Sequence, residues 1–480
     1  MKKIISFITV AAIASAYLTA GCEKKENTGD NSVPTLTWYV PNSQQTDTES
    51  VVAKANEIIE KEIGAKLDLI FVDASSFSEK LNMYMASGNK FDLCFTGYVN
   101  PFATAVQRGG LMELSELLET VPKLKEAVPQ YYWDIATVND GIYAVPNQQI
   151  LGGSLSVVIK KDLADKYGFD VSSIRKTEDI EPFLQKVAEN EKNIYPFKPS
   201  SGTGSFASLD NETYDYSLTS GVDLEEDENG FKITSLYEKE SFKENAKKLN
   251  EWFKKGYIRK DIASVTDDTQ DLNSGKYASW ITTYKPGVSE ELSKSLGFDV
   301  YVAPISKPYI NARAGRDTMI GIGKHSQHPE LAIKLIELVN TNKELYNLLA
   351  FGIEGKHYEK IDENHIRYID NSGYMPNAAW EFGNQFNALL LEDQEDDVWE
   401  QTKKINESAF KSHLIGFTPD VTPVRTEVSQ IETVIGEYNV IEKGAKDLDT
   451  YYDEFISKLK QAGIDKVVEE INKQAQQFEK

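Results

Sequence analysis

Two arrangements in this chain come nearest to metal sites: the pair His325 and His328, and the alternating acidic run Asp223, Glu225, Asp227 and Asn229. Imidazoles at short spacing can share an ion with further ligands, and oxygens on alternate loop positions can wrap calcium. Neither run is complete. The chain holds five histidines with no third ligand clustered on the pair, and Pro329 with Glu330 reads as a helix opening, so Ser326 and Gln327 are capping context. In the acidic run the glycine comes at Gly230 and Glu238 does not close the calcium-loop spacing, so a hairpin over Asp227-Glu228-Asn229-Gly230 is expected. Ser201-Gly202-Thr203-Gly204-Ser205 lacks the lysine and spacing of a phosphate loop, and no Gly-x-Ser-x-Gly elbow exists. Cys94, inside the apolar run Phe91 to Phe95, reads as a buried and inert thiol. These residues assign no catalytic group, no metal and no cofactor.

Cys22 carries a different chemistry. Lys2 and Lys3 precede an apolar run from Ile4 to Leu18, and Thr19-Ala20-Gly21 leads with small residues to Cys22. That is a secretion signal, too short to remain as a membrane span. It resembles a bacterial lipoprotein signal, which implies cleavage after residue 21 and a lipid on Cys22; Thr19 stands where such signals usually carry an aliphatic residue. Residues 22–34 are polar and suit a flexible tether. The expected location is the extracytoplasmic side of the cell membrane, lipid-anchored.

With 480 residues, 40% of them hydrophobic and 11% aromatic, the chain can build well-cored domains. Loss of Lys2 and Lys3 from the 52 basic residues leaves 50 against 75 acidic ones, a net charge of -25. Nucleic acid and anionic membrane surfaces are poor partners for such a chain.

The elements that must position a site alternate from Thr35 onward. Leu36 to Val40, Lys66 to Val72 and Phe91 to Phe95 read as strands. Between them lie a helix carrying Val51, Val52, Ala55, Ile58, Ile59 and Ile63 on one face up to a Gly64 stop, and one carrying Phe77, Leu81 and Tyr84 up to Gly88. This βαβαβ order predicts a parallel sheet with helices on its faces. Gly141 to Pro146 leads through Asn147-Gln148-Gln149 to an extended stretch, Ser156 to Ile159, a suitable crossing between lobes. Helices over about 180–188 and 241–253 and the strand Phe298 to Val302 make a second lobe, and Met319 to Ile322 with the helix Pro329 to Asn340 returns to the first. The expected boundaries are 35–148 plus about 305–360 for lobe 1, 149–304 plus about 361–421 for lobe 2, and an amphipathic helical region 422–480 packed on lobe 2.

The runs EKLNMYMASGNKFDLCFTG, GGLMELSELLETVP, DGIYAVP, SGKYASW and IGIGKHSQHPELAIKLIELV resemble the sugar-type extracellular solute-binding proteins of bacterial ABC importers. TNKELYNLLAFGIEGKHYE, FTPDVTPVRTEVSQI and YYDEFISKLKQAGIDKVVEEINKQ are similar to a lipoprotein subfamily with its own C-terminal helical domain. The resemblance implies an α/β fold of two lobes, a ligand in the cleft between them, closure on binding, and docking of the closed form on membrane permease subunits.

Sugars offer apolar faces and many hydroxyls, so a site needs aromatic plates with amides, carboxylates or guanidinium groups around them. If the ligand is a carbohydrate, such residues stand where loops should meet the cleft: Trp38 and Gln45 around the first strand's end, Tyr98 after the third strand, Gln148 at the crossing, Trp280 and Tyr284 near the glycine-lysine-tyrosine run, Arg316, and Trp380. Each has a plainer reading. Tryptophans are as often core as plate, Gln148 and Tyr98 rest on loop position, and Arg316 serves equally in an interlobe ion pair.

The expectation is a monomeric substrate-binding lipoprotein that captures a carbohydrate, an oligosaccharide in the first instance, delivers it to an ABC permease, and catalyses nothing. The alternatives are a surface-anchored glycoside hydrolase, which needs two carboxyls facing across a sugar, and a binding protein for peptide or another polar solute.

Overall fold

The structure, a computed structural model, describes residues 33–138, 141–200 and 218–478. Cys22, the tether and the Ser201–Ser205 run lie outside them.

The first core grows from β1 (Thr35–Pro41), α1 (Thr48–Ile63), β2 (Lys66–Val72), α2 (Ala74–Ser87) and β3 (Leu93–Gly97). Helix α1 buries Val51, Ala55 and Ile59, one per turn on a single stripe, and ends at Gly64, where φ of 68° favours glycine. β1 pairs in parallel with β2 and with β3. The sheet is then extended beyond β3 by the strand Thr318–Ile322 and next by Ala144–Pro146. Thr318–Ile322 runs antiparallel to β3, a departure from the expected parallel sheet. The chain re-enters from the second lobe at the carboxyl end of β3, with Thr318 opposite Gly97, and can only run backwards from there. One edge of the sheet therefore gathers the carboxyl ends of β1, β3 and Ala144–Pro146 with the amino end of Thr318–Ile322.

The second core lies on an antiparallel three-stranded sheet in which Ser154–Lys160 is flanked by Ser279–Tyr284 and Val300–Pro304. Leu155, Val157 and Ile159 meet Phe183, Trp252 and Tyr237 on one side of it. The helices Arg425–Glu442, Leu448–Gln461 and Ile464–Phe478 bury Ile431, Phe455, Leu459 and Ile471 in the same core. The alternating acidic run forms the hairpin Val222–Asp227 and Gly230–Ser235.

Residues between 366 and 409 depart from the expected second-lobe assignment. Ile366, Tyr374, Phe382, Leu390 and Ala409 all pack in the first core. Its strands are short, such as His365–Tyr368 and Leu390–Leu391, and its one long helix, Val398–Ser408, buries Val398 with the polar Thr402 and Asn406, so no apolar stripe places the segment in the sequence.

Three stretches join the two cores, and they hydrogen-bond to one another. Tyr309 N–H donates to Gly153 O at 2.9 Å, and Tyr309–Ile310 pairs in parallel with Phe410–Lys411. Asn406 fastens the first crossing: its Oδ1 accepts from Leu151 and Gly152 N–H (2.7 and 3.0 Å) and its Nδ2 donates to Gln149 O (2.8 Å).

Candidate functional site

The shared edge of the first sheet carries an aromatic pair, an exposed Tyr98 against a partly buried Trp380. Tyr98 follows β3 directly and is 49% exposed. Its ring lies 5.7 Å from that of Trp380 and 5.7 Å from that of Phe95, while Trp380 meets Phe95 edge-on at 6.0 Å. The backbone that presents Tyr98 is pinned by glycine. A Cβ on Gly97 would stand 1.9 Å from Asp317 O, so no other residue allows this approach, and Tyr98 N–H donates to that same carbonyl at 3.0 Å. Trp380 is held from behind by Asn147, whose Nδ2 donates to Trp380 O at 3.2 Å while its Oδ1 accepts from Gly383 N–H at 3.1 Å.

Loop 42–47, after β1, closes one side. Asn42 Nδ2 donates to Pro376 O at 2.9 Å, and Gln45 Oε1 accepts from the N–H of Met375, itself 56% exposed. Asp47 pairs with Lys356 at 2.5 Å and His357 at 3.1 Å; Lys356 first and His357 second hold its carboxyl below the usual carboxylate range. Segment 374–384 thus gathers Gln45, Tyr98 and Trp380 at one rim, as a sugar site would require.

Four of the expected ligand residues are buried instead. Trp38 is fully enclosed, its ring edge-on to Phe382 at 5.5 Å, so it is core and not a plate. Trp280 packs among Val158, Tyr277 and Val300 on the second sheet. Gln148 is tied at both ends of its backbone, to Gly383 O and Gln385 N–H, and its Nε2 donates to Asn340 at 3.3 Å. Arg316 makes neither a ligand contact surface nor the expected ion pair. It donates to Ile135 O (2.7 Å), Thr137 O (2.8 Å) and Thr418 Oγ1 (3.0 Å), and burial pulls its pKa down to about 10. Tyr284 ends its strand opposite Ser154, on the edge of the second sheet where the crossings enter. Burial and then Glu290 and Glu395 push its phenol up.

Glu381, next to Trp380, carries no signal in the sequence. It is 1% exposed, neither of its oxygens has a hydrogen-bond partner, and burial pushes its pKa up to about 8 against a smaller opposing pull from Asn42. One carboxylate among 75 acidic residues carries no sequence signal of burial.

A separate cavity of ≈ 700 Å³ opens between α1, the helix Lys343–Phe351 and residues 386–399, lined in part by Ile58, Asn347, Phe386, Asn387 and Trp399. Two of its amides are engaged: Asn347 Nδ2 donates to Lys343 O and Asn387 O (2.8 and 2.9 Å) and Asn387 Nδ2 to Asn340 O (2.9 Å).

Elsewhere, Asp223 of the acidic hairpin pairs with Lys239 at 2.8 Å, and no cluster of three metal-ligating side chains occurs among the described residues. Ser326 Oγ accepts from His328 N–H at 3.2 Å at the opening of helix Pro329–Thr341, and Cys94 is buried, which pushes its thiol up.

Comparison with known proteins fits this arrangement. Residues 42–345 match the bacterial extracellular solute-binding protein family, and residues 413–480 match a domain of unknown function, DUF3502. The chain is 30% identical to a carbohydrate ABC transporter substrate-binding protein of Streptococcus pneumoniae serotype 4 (strain ATCC BAA-334 / TIGR4), over 98% of this chain and 96% of the relative. The crystal structure of the N-glycan transport solute-binding protein NgtS from Streptococcus pneumoniae superposes with a TM-score of 0.83 at 29% identity, covering 93% of this chain and 99% of that one. NgtS in complex with Man5GlcNAc covers 93% and 98% and superposes at 0.71, again at 29% identity. The chain belongs to the bacterial extracellular solute-binding protein family.

Proposed function

We propose that this carbohydrate-binding component of an ABC importer takes an oligosaccharide of the N-glycan type between its lobes, closes on it, and catalyses nothing. The observation that carries the reading is the end-to-end likeness to NgtS, a protein of N-glycan transport. Exposed Tyr98 and partly buried Trp380 supply a stacking surface for a pyranose, with Tyr284 on the second sheet as a hydrogen-bonding group and Gln45, bonded to Met375 N–H and Ser43 O, shaping the loop beside them. Closure is the hinge motion that two-lobe binding proteins make around a ligand held between their lobes.

The protein works on the extracytoplasmic side, as its family does. A lipid on Cys22 would hold it there, close to its permease and at high effective concentration. Among the described residues no helix is long and apolar enough to cross a membrane. Cys22→Ser is expected to release the protein from membranes while leaving glycan affinity unchanged, measured by fractionation and calorimetry. Small-angle scattering with and without Man5GlcNAc tests closure; a radius of gyration unmoved by saturating glycan overturns it.

A further inference from the structure

Glu381 closes the short helical turn Ala379–Glu381, between Trp380 of the aromatic pair and Phe382, which meets Trp38. Its carboxyl is enclosed, and neither oxygen has a hydrogen-bond partner. Burying such a group costs free energy unless a partner satisfies it, so an orphaned carboxyl in a well-packed wall calls for a missing half. The neighbouring side chains do not supply it. The Asn42 amide gives one N–H to Pro376 O, and its other N–H lies near enough to lower the Glu381 pKa but outside hydrogen-bond geometry, while the Tyr374 hydroxyl donates to Leu349 O at 2.7 Å. No cation pairs with Glu381 among the described residues. The remaining neighbour is Tyr98: its ring is half exposed and lies against Phe95 and Trp380, and burial first and Glu381 second push its phenol up.

We propose that Glu381 is the hydrogen-bond acceptor of the glycan site, its two oxygens taking two adjacent hydroxyls of a pyranose packed on the Tyr98–Trp380 rings. This rests on the carbohydrate reading above. Among the described residues no hydrogen bond fixes the Tyr98 phenol, so a small shift of this half-exposed ring against Trp380 opens the carboxyl to the hydroxyls. The partner class is therefore a sugar unit with free vicinal hydroxyls, and a unit substituted at those positions is rejected, because it leaves the carboxyl orphaned.

A proton linkage follows. With its pKa pushed up to about 8 by burial, the carboxyl is neutral in the empty site near neutral pH. Hydroxyls donating to both oxygens favour the charged form, so loading releases a proton. Binding then tightens as pH rises, by up to about tenfold per unit, and levels off above the empty-site value. The titratable groups packed around this corner are the phenols of Tyr98 and Tyr374 and, beyond Tyr374, His357 with its partner Asp47. All of them persist in Glu381→Gln, so any pH dependence they bring survives there.

The test is calorimetric titration with Man5GlcNAc between about pH 6 and pH 8, in buffers of differing ionisation enthalpy, on the wild type, Glu381→Gln and Trp380→Ala. The expected result is that the wild type tightens with pH and releases up to one proton, while Glu381→Gln binds at least about tenfold more weakly at the upper pH, with a flatter pH profile and an unchanged melting temperature. Full affinity in Glu381→Gln, or binding by the wild type with no proton released, overturns the proposal; weakened binding in Trp380→Ala in that case leaves the carbohydrate reading standing. Failure of the wild type to bind either Man5GlcNAc or Man1GlcNAc removes the N-glycan reading and this inference with it. The proton count on the wild type decides the matter even if Glu381→Gln does not fold.

Discussion

Replacing Arg316 by Met keeps the length of the side chain and removes its charge and its donors. Arg316 is 7% exposed and ties Ile135 O and Thr137 O, on the first core, to Thr418, at the start of the C-terminal region. The substitution leaves two carbonyls in a buried corner without partners, at about 1–3 kcal/mol each. Part of that is offset, because the cost of burying a cation disappears with it. A net loss of about 3 kcal/mol remains. Unfolding entropy of about 2.1 cal/mol/K per residue over roughly 450 residues turns this into a fall of about 3 °C if the body melts as a unit. If the lobe holding the first core, roughly 250 residues, melts alone, the fall is about 6 °C. Differential scanning calorimetry reads the difference. Arg316→Lys, which carries charge but not the planar fork, should recover less than half of it. A melting profile for Arg316→Met within about 1 °C of wild type would show that the three hydrogen bonds contribute nothing net, and would refute the reasoning.

Trp380→Ala removes a plate against which a pyranose face would bury about 80 Å² of apolar surface, worth about 2 kcal/mol or roughly a 30-fold rise in Kd, and calorimetry that finds affinity unchanged takes Trp380 out of the site. Gly97→Ala drives a methyl into Asp317 O and should break the pairing of β3 with Thr318–Ile322, seen as loss of soluble protein or a sharply lower melting temperature. Burial lowers the His365 pKa, but Asp362, the Gln394 carbonyl and Asp396 outweigh it and the net shift is upward. A raised folded pKa adds stability below the unfolded value of about 6.5 that is lost as pH rises through the folded one. The melting-temperature gap between wild type and His365→Gln should accordingly be widest near pH 5 and shrink by about pH 8.

The βαβαβ opening was legible because its signals are local. The stripe Val51, Ala55 and Ile59 and the stops at Gly64 and Gly88 mark two helices, and the intervening apolar runs became strands within a few residues of expectation. Which way a strand tryptophan faces was not legible. Trp38 and Trp280 each lie in a strand, and only the packing of helices and loops over those strands decides between plate and core. The same holds for Glu381, whose character comes entirely from burial by residues distant in sequence. Residues 366–409 escaped because most of the segment has no period to read and its helix Val398–Ser408 buries polar Thr402 and Asn406, although the segment brings Trp380 to Tyr98 and so completes the rim.

The central claim is that this rim belongs to a glycan receptor that binds without turnover. Equilibrium titration of the full chain with Man5GlcNAc, followed by chromatography of the recovered sugar, tests it most directly. The account predicts saturable binding, one glycan per chain, with the saccharide returned intact; absence of binding across an N-glycan panel, or the appearance of shorter saccharides on incubation, contradicts it.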